Sequence, residues 1–340
     1  MSTPKIWYIQ PESHTQRIFT DDDYQRMLEE FDTTVNDTGR NFTSEEVAEG
    51  ISGYDAIITG WGAPPMTAEI MKNADDLKII AHSAGSIKGL CPKDIVENYL
   101  RPNNIILFSA NGAIAYNVAE SAVGMIMMAS HRWMDLALNI RQTGTWRPPH
   151  IRWNGQFLLG STVGVVSASS VGRHVIHLLQ GWECELLLYD PYISAEAAAE
   201  IGAEKVELNE LFERSDHVTI HAPKLDATYH MIGAEQLQLL KDNATLVNTS
   251  RGTVIDQAAL VEEAATGRIQ VFLDVTDPEP MEPHHPFRAM PNVYISPHVS
   301  GAGYYGYHMI GTQTVNALEA AFAGEPMEGA VDYDKYDILA

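Results

Sequence analysis

The sequence predicts an α/β protein of two doubly wound, parallel-sheet domains. Three observations lead there. At 340 residues the chain exceeds the usual size of one domain. The stretch from Gly160 to Pro191 reads as strand, tight turn, helix and strand, a βαβ unit. In the residues before position 110, short apolar runs alternate with helical spacing, the pattern of a parallel sheet. Apolar residues make up 45% and charged residues 20%, enough to bury real cores and too ordinary for a disordered chain.

In chain order, Lys5 to Ile9 alternates as a strand, and Asp21 to Phe31 has helical spacing with acidic residues in its first turn, where the helix dipole favours them. Ala56 to Thr59 and Leu77 to Ala81 read as strands, with Thr67 to Ala74 helical between them. The loops after these strands, Gly60 to Gly62 and Ser83 to Ser86, are places for a ligand, because open sheets bind at the carboxyl ends of their strands. Gly85 could bare amides to an anion there or be a plain turn residue. Asn111 to Arg141 reads as one long, methionine-rich helix, apolar on most sides. Such a helix needs cover from more than one side, so it is either an arm between subunits, with Trp146 and Trp153 beyond it, or a deep helix of its own core. Further strands run from His217 into His221-Ala222-Pro223, from Ala244 to Asn248, from Gln270 to Asp274 and from Val293 to Ser296. A last helix, Gly311 to Ala323, is expected to return to the first domain.

The turn in the βαβ unit holds Ser167, Ser169 and Gly172 where a dinucleotide-binding turn has three glycines. Only the third is kept. Asp190, at the end of the next strand, can accept hydrogen bonds from the adenosine ribose, or be a turn residue before Pro191. A 2′-phosphate would meet its like charge, which favours NAD over NADP. Several later strands also end in chemically capable residues: Arg251 in NTSRG, Glu279 in DPEP and His298 in SPHVSG. A guanidinium suits the planar carboxylate of a 2-oxo acid, and an imidazole suits proton transfer to its carbonyl oxygen near neutral pH. A carboxylate on the second ring nitrogen would hold the ring. Hydride transfer needs these functions and no metal. Adjacent His284 and His285 are loop residues on this reading.

In series, the strings GSTVGVV, YDPY, HAP, VNTSRGTVIDQAALVEEA, LDV with EP, and PNVYISPH resemble the D-isomer-specific 2-hydroxyacid dehydrogenase family over nearly the whole chain. The resemblance implies two flavodoxin- or Rossmann-like domains with a cleft between them. Residues 1–110 and 301–340 would form a discontinuous substrate domain, and 111–300 the NAD-binding domain, with a dimerisation arm at about 111–155. It implies that Arg251 binds the substrate carboxylate with Ala84 and Gly85, that His298 is the acid/base, and that Glu279 is its partner. Cofactor contacts would fall on Ser169, Ser170, Val171, Gly172, Asp190, His221, Ala222, Pro223, Thr228, Thr249, Ser250 and Asp274. The two serines in the turn depart from the family pattern.

The expected function is that of an NAD-dependent reductase or dehydrogenase of a small 2-oxo or 2-hydroxy acid. The alternative is an NAD(H)-sensing, corepressor-like binding protein of the same fold. A net charge of −23 argues against a nucleic-acid or anionic-lipid partner. No apolar run is expected to reach membrane-spanning length. Two cysteines without ligand spacing suit a reducing, cytoplasmic setting. A homodimer and no bound metal complete the expectation.

Overall fold

A computed structural model describes residues 3–151 and 155–339, so Trp153 lies outside the described residues. The chain divides into two units, Met1–Ile114 with Ala302–Ala340, and Ala115–Gly301.

In the first unit, Lys5–Tyr8 (β1), Asp32–Val35 (β2), Ala56–Thr59 (β3), Ile79–His82 (β4) and Ile106–Ser109 (β5) pair in parallel in the order β2-β1-β3-β4-β5. β3 and β4 are buried at every residue, as strands covered by helices on both faces must be. β2 is mostly exposed and polar, which suits an edge. The helix Tyr304–Ala323 lays Ile310, Val315 and Leu318 against Ile6, Tyr8, Ile58 and Phe108, so the tail belongs to this unit's core.

The second unit adds Thr162–Val166 (β6), Glu185–Tyr189 (β7), Glu204–Lys205 (β8), His217–Ile220 (β9), Thr245–Asn248 (β10), Gln270–Leu273 (β11) and Val293–Ile295 (β12). All pair in parallel, in the order β12-β11-β10-β9-β6-β7-β8. The two sheets differ in kind. The first has the flavodoxin order; the second has the dinucleotide-binding order, reversing at β6, where the crevice of such a sheet opens at the carboxyl ends.

Two expectations are corrected. The single helix over Asn111 to Arg141 is two, Asn111–Ser130 and Trp133–Thr143. Arg132 between them has φ +57°, a left-handed conformation that stops a right-handed helix, and its guanidinium meets Asp135 at 2.5 Å. Asn111–Ser130 is also long and apolar enough, by length and composition, to cross a membrane. It is accounted for as a core helix, because Ala119, Ala122, Val123, Ile126 and Ala129 pack with Val163, Val165 and Ile176.

Candidate active site

The turn after β6 is built around its two serines. Ser169 caps the helix Ser170–Leu179: its Oγ accepts from the Gly172 amide at 3.3 Å and donates to the His221 carbonyl at 2.8 Å. The hydroxyl's one proton is therefore held by the loop after β9, and is not free for a phosphate oxygen. Gly172 must lack a side chain, since a Cβ there would sit 2.0 Å from the Ser167 carbonyl oxygen. The amides of Ser170 and Val171, the first two of the helix, meet no acceptor among the described residues and lie where the helix dipole favours an anion.

Ser167 has φ +81°, the region glycine enters freely and other residues enter at a cost of roughly 1–2 kcal/mol. Its hydroxyl donates to Asp190 Oδ2 at 3.2 Å, so this first turn position does touch the acidic residue. The Ala168 amide reaches the same oxygen at 2.8 Å, and the Tyr192 amide reaches Oδ1 at 2.8 Å. Asp190 is thus a buried carboxylate with three donors from its own chain.

At the ends of β10, β11 and β12 stand Arg251, Glu279 and His298. Asn248, buried at the end of β10, accepts from the Ser250 amide at 3.0 Å and hydroxyl at 2.9 Å, and donates to the Arg251 carbonyl at 3.0 Å, shaping the turn that carries the guanidinium. Gly252 follows because a Cβ would lie 2.1 Å from the Thr276 carbonyl carbon. Arg251 makes no ion pair among the described residues; its Nη1 donates to the Ser250 carbonyl at 2.6 Å. Burial lowers its pKa while the charge of Glu279 acts the other way, so a half-buried cation sits poised for an anion.

Glu279 Oε1 meets His298 Nδ1 at 2.5 Å, and no group of the described chain meets Nε2. An imidazole so held has one defined nitrogen for proton exchange. His298 itself has φ +53°, and its amide donates to the Asp274 carbonyl at 2.9 Å. The buried Asp274 carboxylate fixes the rest of this loop: Oδ1 accepts from the Ser296 hydroxyl at 2.5 Å and the Val299 amide at 2.9 Å, and Oδ2 accepts from the Ser300 amide at 2.8 Å. Gln257 ties down the Glu279 loop through the Asp277 carbonyl at 2.6 Å and amide at 3.0 Å.

The remaining predicted residues divide. Thr249 is buried with a hydroxyl that has no partner among the described residues, while the Ser250 hydroxyl is committed to Asn248. The His221 ring is wholly inside, bonded to Thr219 at 2.9 Å and pushed by burial to a pKa of about 3. The Thr228 hydroxyl closes that loop on the Pro223 carbonyl at 2.6 Å. Ala84 and Gly85 stand at the carboxyl end of β4 in the first unit, where the Ser109 hydroxyl holds the Gly85 carbonyl at 2.7 Å. Sequence reasoning passes over Asn248, Gln257 and Ser296. An Asn followed by Thr-Ser at a strand end is a recognised turn signature, so Asn248 is open to discovery; Gln257 and Ser296 carry no such signal.

Residues 123–300 match the family described as D-isomer specific 2-hydroxyacid dehydrogenase, NAD binding domain. The chain is 31% identical over 264 residues to a glyoxylate reductase of Korarchaeum cryptofilum, covering 76% of each protein. The chain belongs to the D-isomer-specific 2-hydroxyacid dehydrogenase family. It is also 30% identical over 313 residues to a D-3-phosphoglycerate dehydrogenase of Methanocaldococcus jannaschii, with 92% of this chain spanning 57% of that one. The structure of a phosphoglycerate oxidoreductase from Rhizobium etli superposes with a TM-score of 0.82 at 20% identity, covering 98% of this chain and 99% of that one, and shows the shared fold. For a 2-hydroxyacid dehydrogenase the second unit fits a nicotinamide dinucleotide. The open amides of Ser170 and Val171 suit its phosphates, Asp190 its ribose, and the buried Thr249 hydroxyl, without a partner among the described residues, is left over for a further polar contact.

Proposed function

We propose that this chain is an NAD-dependent oxidoreductase that interconverts a small 2-oxo acid and its D-2-hydroxy acid. The observation that supports it most is the grouping, on one sheet edge, of a half-buried guanidinium with no ion-pair partner among the described residues and an imidazole held by a carboxylate. Arg251 takes the substrate carboxylate in a two-point contact, which orients the adjacent carbonyl. Nε2 of His298 gives a proton to the carbonyl oxygen in reduction and takes it back in oxidation. Glu279 holds Nδ1, so the ring cannot turn its other nitrogen to the substrate. The dinucleotide, when bound, supplies or accepts the hydride. The Ser170 and Val171 amides would hold its pyrophosphate, and Asp190 would make NAD preferred over NADP.

The relatives named glyoxylate reductase and D-3-phosphoglycerate dehydrogenase support a short acid. We read the protein as a homodimer, since Trp133, Trp146, Phe157 and Leu159 are large, apolar and exposed on the second unit. Free Cys91 and Cys184 suit a cytoplasmic setting, with a small acid, and neither nucleic acid nor membrane, as partner.

The test is Arg251→Ala. Reduction of 2-oxo acids should fall by about thirtyfold or more in kcat/KM, from loss of roughly 2–4 kcal/mol of charge-assisted contact, with NADH affinity kept. An unchanged kcat/KM removes Arg251 from the site.

A further inference from the structure

We propose that Ser167 sets cofactor affinity: its hydroxyl is the one removable donor on the Asp190 carboxylate, and it must swing away before the adenosine ribose can be held through both of its hydroxyls. This rests on the reading of Asp190 as the ribose acceptor. A carboxylate offers about four acceptor positions. Three are filled by the chain itself, by the Ala168 and Tyr192 amides at 2.8 Å each and by the Ser167 hydroxyl at 3.2 Å. Two ribose hydroxyls need two positions, and one remains. The amides cannot leave without unmaking the turn and the chain after β7. The Ser167 hydroxyl makes the longest of the three contacts and rotates about a single bond.

The backbone points the same way. Ser167 sits at φ +81°, where glycine would be relaxed, so serine is held in a conformation its own β-carbon disfavours. The bond to Asp190 offsets part of that in the free protein, and is lost when the ribose arrives. Serine here thus stabilises the empty turn relative to the filled one.

Calorimetric titration of NADH into wild type, Ser167→Ala, Ser167→Gly and Asp190→Ala tests this, with thermal melts confirming that each variant folds. Ser167→Ala keeps the β-carbon and removes the competing donor, so it should bind NADH about two- to tenfold more tightly, the range of one net hydrogen bond. Ser167→Gly should bind at least as tightly, and Asp190→Ala more weakly than wild type. In the Asp190→Ala background, adding Ser167→Ala should change nothing. Affinity equal to or weaker than wild type in Ser167→Ala, with Asp190→Ala weakened, overturns the inference alone. Undiminished NADH binding in Asp190→Ala overturns the reading of Asp190 and the inference with it.

Discussion

Nδ1 of His298 lies 2.5 Å from Oε1 of Glu279, and both side chains are partly open to solvent. The contact fixes which ring nitrogen faces outward. Glu279→Gln keeps the shape but can present its amide NH₂ to Nδ1, which reverses the hydrogen-bond sense and favours the wrong tautomer. Turnover in the reduction direction should slow by roughly ten- to a hundredfold, the usual size of an acid–base contribution in part removed, with KM little changed. Steady-state kinetics decides it; turnover equal to wild type would detach Glu279 from the chemistry.

Asp274 is expected from the sequence to bind cofactor, yet three of its acceptor positions serve the loop from Ser296 to Ser300. These bonds hold the loop that carries His298. Asp274→Ala would leave these donors without their acceptor, at about 1–3 kcal/mol each where water cannot reach. Chemical denaturation should show a loss on the order of 3 kcal/mol, and turnover should fall further than NADH affinity. Equal losses in both would mean that Asp274 serves the cofactor instead.

Stability should fall on mild acidification. Burial is the main cause that pushes His14, His82 and His217 down from 6.5 to about 4. Between those values the unfolded chain binds more protons than the folded one, so the stabilisation is whole above about pH 6.5 and is lost as pH drops towards about 4. Each histidine accounts for on the order of 3 kcal/mol at most. Denaturation midpoints at pH 7 and pH 5 should differ, and His14→Gln should narrow the gap. Equal wild-type midpoints would contradict the neutral, buried state of these rings.

Much of this is legible in the sequence, and the limits have physical causes. Val163 to Val166 announces a buried strand, and the strand ends place Arg251, Glu279 and His298 on one edge because parallel strands all finish on the same side. What escapes are directions of side chains in turns. The Ser169 hydroxyl could face a phosphate or the His221 carbonyl, and spacing does not say which; in the fold it donates to the carbonyl. Spacing gives Ser167 no role beyond the bend, yet at φ +81° its hydroxyl turns to Asp190. The break at Arg132 is hidden for the same reason, since apolar periodicity runs on through a residue whose φ alone ends the helix.

Association should be visible in solution. Trp146 is 77% and Leu159 73% exposed, large apolar side chains that an interface between two copies would cover. Light scattering at micromolar concentration should give twice the chain mass, and Trp146→Glu should shift it towards one. A monomeric wild type would refute the dimer.

The central claim is hydride transfer to a small 2-oxo acid, and it is tested most directly by following NADH absorbance with glyoxylate, hydroxypyruvate and longer 2-oxo acids. NADH should be consumed with at least one of them, and that consumption should be lost in His298→Ala. A wild-type protein that binds NADH yet consumes it with none of these acids would contradict the claim, and would favour a chain that senses the dinucleotide without turning it over.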